Sequence, residues 1–308
     1  MRIRIATRKS ALALWQARHV AAKLGALDTV DDVTLVPLST RGDEVLDKSL
    51  QKIGGKGLFI KELEVAMQNG DADIAVHSMK DVPAVMPDGF LIAAVLEREN
   101  PADALVSRDG AGIDGLAEGA TIGSSSLRRQ AQLLAMRPDL CIEPLRGNVN
   151  TRLDKLDAGK YDAIVLAAAG LARLGLASRI SQAFEPGQML PAAAQGVVGI
   201  ECLSAHESLV ALLSGLNDPS SVLTTAAERA VAATLDASCQ SPLASYATLD
   251  GSRLTIATLA AAADGSRVLR AQADGPATDT EAAAALGERA ARQLLEQGAA
   301  DLLHAEAT

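Results

Sequence analysis

Apolar residues recur along the first hundred residues with two spacings, one typical of strands and one typical of helices. RIRIAT alternates polar and apolar residues and predicts a strand, and Ser10 then precedes ALALWQARHVAAKL, which predicts a capped helix. DVTLVPLST, DIAVHS and FLIAAVL predict further strands, and LFIKELEVAMQNG predicts a helix ending at Gly70. Because strands alternate with helices, we expect an α/β fold with a mostly parallel sheet.

The same order of elements returns after Pro101. ATIGSSSLRRQAQLLAM predicts a strand, a serine-rich turn and a helix, CIEPL a strand, NTRLDKLDAGK a helix, and YDAIVLAAAG a strand leading into a helix. LEVAMQNGDADIAV and LDKLDAGKYDAIVL echo each other as a helix, a Gly-x-x-Asp turn and an apolar strand, which supports two related domains. The apolar strand QGVVGIEC is expected to return to the first domain and to form a two-stranded hinge with the crossing at 97–101.

After Pro219 the pattern changes again. SVLTTAAERAVAATL predicts a helix, two Asp-Gly turns then separate alternating runs as in antiparallel hairpins, and TEAAAALGERAARQLLEQ predicts a closing helix. We therefore expect two α/β lobes and a small C-terminal α+β domain. The predicted boundaries are 1–96 with 197–215 for domain 1, 102–190 for domain 2, and 219–308 for domain 3.

Composition narrows the class of protein. A chain of 308 residues suits two or three domains, and with only 2% aromatic residues the cores must be built from Ala, Leu, Val and Ile. The net charge of -9 argues against general nucleic-acid binding, which needs a basic surface. MRIRIATRKS has no apolar signal region, and no apolar run approaches the roughly 18 residues of a membrane span, so we expect a cytoplasmic protein without a membrane partner.

The cysteines and histidines suggest neither disulfides nor a metal site. Three cysteines at unrelated spacings argue against disulfides, and four scattered histidines match no zinc spacing. Cys141 and Cys202 lie in apolar strand contexts and are interpreted as inert core thiols. Cys239 lies in the polar stretch TLDASCQSPLASY, so we expect an accessible thiol that acts as a nucleophile or an attachment point.

Arginines recur where predicted strands end. Ligands of open α/β sheets lie at the carboxyl ends of strands, and helix N-termini there favour anions. Arginine adds bidentate recognition of carboxylate or phosphate, so the set predicts a site for a polyanionic small molecule, unless these side chains simply cover solvated helix surface. The six residues are Arg8, Arg128, Arg129, Arg146, Arg152 and Arg173.

The stretch AVHSMKDVP places Lys80 and Asp81 directly after a buried strand. A carboxylate at such a strand end can act as an acid or base, or can stabilise a cationic intermediate. The alternative is a surface ion pair between these two residues at a turn. His77 is interpreted as a packed or hydrogen-bonded histidine, and the polar, glycine-rich segment at 41–57 as a mobile loop.

Seven motifs in order resemble one family. IATRKSALALWQA, GGKGLFIKELE, AVHSMKDVP, IGSSSLRRQAQL, LRGNVNTRLDKLD, AAAGLARLGL and QGVVGIEC resemble those of the porphobilinogen deaminases, or hydroxymethylbilane synthases, from about Ile3 to Tyr246. The resemblance implies two lobes like those of type II periplasmic binding proteins, an active cleft between them, and a monomer. It implies a transferase that condenses four porphobilinogen units head to tail with loss of ammonia, and then releases linear hydroxymethylbilane by hydrolysis, for heme and other tetrapyrroles.

The resemblance also implies roles for individual residues. Asp81 matches the catalytic aspartate, which assists loss of ammonia and stabilises positive pyrrole nitrogens. Cys239 matches the cysteine that carries a covalent dipyrromethane cofactor through a thioether. The cofactor would be bound by Lys80, Asp81, Ser126, Arg128, Arg129 and Arg146. The substrate would be bound by Arg8, Ser10, Arg146, Arg152, Arg173 and Gln195. The segment 41–59 matches an active-site loop in which Lys56 and Phe59 close over the substrate.

One departure from the family pattern lies beside the cofactor cysteine. Many members have two glycines there, whereas this chain has Ala237 and Ser238, which restrict the backbone more than glycine. Two other interpretations remain open: a non-catalytic two-lobe protein that binds an anionic ligand, and a thiol-dependent redox enzyme. The missing secretion signal and the pair Asp81 and Cys239 weigh against the first, and the lack of a second nearby cysteine weighs against the other.

Overall fold

The computed structural model describes residues 1–40, 60–238 and 240–303. The strands are β1 Arg2–Arg8, β2 Asp32–Leu38, β3 Ile74–Ser78, β4 Phe90–Val95, β5 Asp103–Ser107, β6 Thr121–Gly123, β7 Cys141–Glu143, β8 Ala163–Ala167, β9 Gln182–Ala183, β10 Val198–Leu203, β11 Leu243–Asp250, β12 Arg253–Ala261 and β13 Val268–Pro276. The helices are α1 Ala11–Gly25, α2 Lys61–Gln68, α3 Leu127–Met136, α4 Val149–Asp157, α5 Ala168–Arg173, α6 Glu207–Ser214, α7 Pro219–Thr234, α8 Thr280–Glu296 and α9 Ala299–Leu303. Within those described ranges, no helix is long and apolar enough to cross a membrane.

The first sheet has the strand order β2-β1-β3-β10-β4. β1 runs parallel to β2 and β3, whereas β10 is antiparallel to β3 and β4. The predicted return of QGVVGIEC to the first sheet is therefore confirmed. Alternation along β1 and β3 sends Ile5 and Ile74 into a core with α1, and Ala6 and Ala75 into a core with α2.

The second sheet repeats this arrangement, with the order β7-β6-β8-β5-β9. β6 is parallel to β7 and β8, and β5 is antiparallel to β8 and β9. The two similar segments of the sequence form equivalent elements. One forms α2 and β3, the other forms α4 and β8, and β3 and β8 are each the central strand of their sheet. The α/β class is thus confirmed. Four of the five strands in each sheet run in one direction, and the exception is β10 in the first sheet and β5 in the second.

The third sheet is an antiparallel meander, β11-β12-β13. Its two turns contain the predicted Asp-Gly pairs, and Gly251 and Gly265 have φ of 57° and 73°, which glycine adopts without strain. α7 and α8 cover one face through a core of Ala and Leu side chains. Gly287 of α8 lies so close to α7 that an added Cβ would be 2.0 Å from the carbonyl oxygen of Ala227.

By its internal contacts the chain divides into two compact units. Unit 1 contains Met1–Arg98 and Val197–Ser221, and unit 2 contains Glu99–Gly196 and Val222–Thr308. Unit 2 holds both the second and the third sheet, since Ala131 of α3 packs against apolar side chains of β11 and β12. The boundaries of the three domains given above stay a prediction.

The expectation for the core cysteines is half correct. Cys202 is buried, and burial followed by the nearby Glu201 charge raises the pKa of its thiol to about 11, so it is inert at neutral pH. Cys141 is exposed, and its assignment as a core thiol was wrong. The reason is that β7 is a three-residue strand at the edge of the second sheet, with an exposed–intermediate–exposed pattern that its apolar neighbours in sequence do not reveal.

Candidate active site

In unit 1, three of the predicted site residues line one small pocket of about 70 Å³. β1 ends at Arg8, and Ser10 caps α1 by accepting the backbone N–H of Ala13 at 3.4 Å. β3 ends at Ser78 and continues into a 3₁₀ turn, Met79–Asp81. Because β1 and β3 are parallel neighbours, their carboxyl ends bring Arg8, Ser10 and Asp81 together.

The carboxylate of Asp81 is available for chemistry. Asp81 is exposed and makes no hydrogen bond or ion pair with any residue of the described ranges, so the alternative of a surface ion pair with Lys80 is not observed. The turn that carries it is fixed, since the N–H of Met79 donates to Val197 at 3.0 Å and that of Val82 donates to Met79 at 3.2 Å. A free carboxylate on a fixed turn suits general acid–base work or stabilisation of a cation.

His77 and Gln16 line the same pocket, and Glu201 and Glu64 interact with His77; of these four, the sequence singled out His77 alone. His77 is buried and its Nε2 lies 2.7 Å from Oε2 of Glu201, which confirms the interpretation of a hydrogen-bonded histidine. Nε2 of Gln16 donates to Oγ of Ser78 at 2.8 Å and so ties α1 to the end of β3. Burial, followed by the charge of Glu201, raises the pKa of Glu64 on α2. Glu201 lies on β10, far from His77 in the sequence, so no local motif could have indicated that these two residues form a hydrogen bond.

In unit 2, the serine-rich turn after β6 starts α3. Oγ of Ser126 accepts the N–H of Arg129 at 3.4 Å, which caps the helix and places two arginines in its first turn. Both arginines point into the protein and meet Asp103, the first residue of β5. Arg128 and Arg129 are 4% and 6% exposed, and Asp103 is fully buried.

The loop after β7 lies beside this turn. Oγ of Ser125 donates to the carbonyl oxygen of Leu145 at 3.0 Å and accepts the N–H of the same residue at 3.0 Å. Arg146 follows directly, and Nε of Arg152 on α4 donates to the carbonyl oxygen of Gly147 at 2.7 Å. Neighbouring strand ends thus present both pairs of predicted arginines on one edge of the second sheet.

The segment before β10 carries two more predicted residues. Nη2 of Arg173 donates to the carbonyl oxygen of Gly196 at 2.7 Å, and burial lowers the pKa of this guanidinium, an effect that Glu99 opposes. Gln195 is buried and its Nε2 donates to the carbonyl oxygen of Pro101 at 2.7 Å and to Asp103 at 3.1 Å.

A buried glutamate from another part of unit 2 holds this segment. Ala194 adopts φ of 57°, which an L-residue adopts only when its surroundings impose it. The carboxylate of Glu228 on α7 accepts the N–H of Ala194 at 2.5 Å and the N–H of Ala247 on β11 at 2.7 Å. Glu228 therefore joins α7, the third sheet and the segment that carries Gln195.

The arginine set is not solvated helix surface. Arg128 and Arg129 are buried, and the other four arginines of the set are partly buried, so none is fully exposed. Three residues of the predicted site, Lys56, Phe59 and Cys239, lie outside the described residues, as does the predicted loop at 41–57.

The sheets define an α/β protein, and each unit has arginines of the predicted set at or near its strand ends. Comparison with known families then places it. Residues 3–211 match the model "Porphobilinogen deaminase, dipyromethane cofactor binding domain", and residues 222–296 match "Porphobilinogen deaminase, C-terminal domain". The chain belongs to the porphobilinogen deaminase family.

Curated relatives agree over nearly the whole chain. The porphobilinogen deaminase of Chromobacterium violaceum is 53% identical over 304 residues, covering 99% of this chain and 97% of that protein. That of Stenotrophomonas maltophilia strain R551-3 is 54% identical over 302 residues, covering 98% and 99%.

Solved structures of periplasmic proteins show a weaker likeness. The VFT2 domain of Bordetella pertussis BvgS has a TM-score of 0.42 at 14% identity, covering 70% of this chain and 86% of that chain. The aliphatic sulphonate binding protein SsuA of Escherichia coli has a TM-score of 0.41 at 13% identity, covering 76% and 70%. The fold description rests on the sheets themselves.

Proposed function

We propose that this chain is a hydroxymethylbilane synthase. It joins four porphobilinogen units head to tail, releases one ammonia for each unit, and frees the linear tetrapyrrole by hydrolysis. The observation that carries the proposal is the set of six arginines, all at least partly buried and placed around strand ends, in a chain of net charge -9. Each porphobilinogen ring bears an acetate and a propionate, and such fixed guanidinium groups are suited to bind carboxylates.

Asp81 is the proposed catalytic residue. Loss of ammonia from the aminomethyl group leaves positive charge on the pyrrole, and carbon–carbon bond formation places it there again. A carboxylate that is fixed on the turn and is not engaged by other described side chains can stabilise this charge and accept or return a proton. Arg8 and Ser10 share its pocket and are the proposed contacts for the carboxylates of the incoming ring.

The residues of unit 2 fit a dipyrromethane group. Such a group, when bound, supplies the pyrrole carbon to which the first substrate unit is joined. Ser126, Arg128 and Arg129 combine a helix N-terminus with cationic side chains, which is the chemistry that its carboxylates require. Arg146 and Lys80 are the further proposed contacts for this group, and Cys239 is its proposed thioether anchor.

The remaining assignments extend the proposal to the rest of the chain. Arg152, Arg173 and Gln195 bind substrate, and Lys56 and Phe59 close over it from the loop at 41–59. The enzyme is a cytoplasmic monomer of three domains, with porphobilinogen as substrate and no nucleic-acid partner. Membership of an enzyme family argues against both a non-catalytic binding protein and a thiol redox enzyme.

Intact mass tests the anchor. The purified chain should carry an adduct of dipyrromethane size, and Cys239→Ser should remove it together with the activity. Cys141→Ser is the matched control, because Cys141 is an exposed thiol that we place outside the site, and it should keep both. A wild-type protein that is unmodified and fully active would overturn the proposal.

Asp81→Asn tests the catalytic role. The variant should keep the adduct and the melting temperature, since this carboxylate bonds to no described residue, while turnover falls by on the order of a hundredfold or more. Asp88→Asn is the control, because Asp88 is another exposed aspartate, on the turn before β4. Near-normal turnover of Asp81→Asn would remove Asp81 from the mechanism.

A further inference from the structure

We infer that Asp103 is a positioning residue that sets the geometry of the anion-binding groups in unit 2. This inference rests on the proposed function and deepens it. Nothing in the local sequence PADALVS marks Asp103, because an acidic residue at the start of a strand is common. Its importance comes from what meets it in space.

Three predicted site residues converge on this one carboxylate. Arg128 binds it with both terminal nitrogens, Nη1 to Oδ2 at 2.6 Å and Nη2 to Oδ1 at 3.2 Å. Arg129 binds it side-on, with Nε at 2.8 Å and Nη2 at 2.7 Å from Oδ1. The amide of Gln195 reaches the same Oδ1 at 3.1 Å. The paired, charge-assisted bonds fix the plane as well as the position of each guanidinium.

The carboxylate itself is rigidly held. Asp103 pairs with Ala167 of β8 in the antiparallel register, and its carbonyl oxygen accepts the N–H of Phe184 at 2.9 Å. The arginines have second fixed contacts, since Nη1 of Arg128 donates to Leu190 at 2.9 Å and Nη1 of Arg129 donates to Val165 at 2.9 Å, in both cases to the carbonyl oxygen. A site on strands and helices with this support is held to a fraction of an ångström.

The charge balance leaves room for an anion. Two guanidinium groups and one carboxylate carry one net positive charge, buried where the dielectric constant is low. Arg128 uses three of its five N–H bonds on Asp103 and Leu190, and Nε–H and one Nη2–H have no partner among the described residues. Asp103 therefore makes burial of the pair tolerable without using all the donors of Arg128, and it determines the direction in which those donors point.

This arrangement assigns Asp103 to binding rather than to chemistry. Its carboxylate contacts Arg128, Arg129 and Gln195, which are all proposed binding residues. Loss of the charge of Asp103 should therefore weaken binding of the proposed dipyrromethane group and of the substrate. It should slow turnover much less in those chains that still carry the group. The expected signature is a split between KM and kcat, together with a lower content of covalent adduct.

Asp103→Asn tests the inference, with Asp139→Asn as the matched control. Asp139 is also paired with an arginine of unit 2, Arg137 at 2.6 Å, but it touches no predicted site residue. Thermal melting followed by circular dichroism would establish whether each variant folds. Intact mass would give the fraction of chains that carry the adduct, and steady-state kinetics of that fraction would give KM and kcat. In Asp103→Asn we expect the adduct fraction to fall several-fold, KM to rise by on the order of tenfold, and kcat to change less. The control should keep all three values.

Asp103→Glu covers the case in which the asparagine variant fails to fold. It keeps the neutralising charge but moves the carboxylate by one methylene, so a folded protein with raised KM and a reduced adduct fraction is expected. If folded Asp103→Asn or Asp103→Glu matches the wild type in KM and adduct fraction, the inference is wrong. A wild-type chain without adduct or turnover would instead refute the proposed function itself.

Discussion

Replacing Gly199 on β10 by alanine should lower both the stability and the turnover of the protein. A Cβ added there would lie 2.1 Å from Sδ and 3.0 Å from Cγ of Met79, and 3.6 Å from Cγ2 of Ile92. Met79 is only 2% exposed and begins the turn that carries Asp81. Gly199→Ala therefore tests whether that turn is held in place by packing from the neighbouring strand.

The expected magnitude follows from these distances. Ordinary non-bonded contacts begin at about 3.5 Å, so the sulfur must move by roughly 1.4 Å or more within a packed interior. Overpacking of this kind lowers the free energy of unfolding by about 1–3 kcal/mol. Alanine also reduces the conformational entropy of the unfolded chain, which offsets about 0.5 kcal/mol of this loss. A displacement of about 1 Å at a catalytic group can lower turnover by on the order of a hundredfold, so kcat should fall by about tenfold or more.

Urea denaturation followed by tryptophan fluorescence measures the stability term. Trp15 is the single tryptophan of the chain and lies on α1, so its signal reports unit 1. The midpoint of Gly199→Ala should fall by about 0.5–1 M. Gly25→Ala is the control, because no atom lies within 4 Å of its added Cβ, and it should not lower the midpoint.

A double variant distinguishes the steric cause from a general loss of stability. Met79→Ala removes the atoms that clash, so Gly199→Ala should cost less in that background than in the wild type. Wild-type midpoint and turnover in Gly199→Ala would show that packing against β10 does not position the turn.

Three further predictions concern the stability of unit 2 and its dependence on pH. Gly287→Ala should destabilise by about 1–3 kcal/mol, because its Cβ would meet the carbonyl oxygen of Ala227 at 2.0 Å; an unchanged melting temperature would refute the close helix packing. Glu228→Gln leaves one of two backbone N–H groups without its carboxylate acceptor and should cost about 1–3 kcal/mol by chemical denaturation, whereas a loss under 0.5 kcal/mol would contradict this. The hydrogen bond from Arg137 lowers the pKa of Asp139 to about 2, so the pair stabilises the fold above the usual value of 3.8 and loses this effect as pH falls toward 2. Asp139→Asn should therefore be less stable than the wild type at neutral pH, and a stability difference that does not shrink on acidification would be contrary to this sign.

Local patterns were sufficient for most of the elements. Ser10, Ser126 and the Asp-Gly turns were predictable because caps and turns depend on residues a few positions apart. Cys141 was misjudged because an apolar run does not reveal whether its strand lies at the centre or the edge of a sheet.

The sequence alone determined the α/β class, most of the strands and helices, and the family, and it singled out the arginines and the aspartate of the candidate site. It did not predict β5, β9, α6 or α9. The predicted features follow from spacing along the chain and from motifs that are each local. The tertiary structure alone decided what holds them: Asp103 beneath two arginines, Glu201 against His77, and Glu228 fastening the backbone of Ala194. Each of these acids lies 25 or more residues from its partner, and a carboxylate shows its role only when folding removes water and brings its donors within 3 Å.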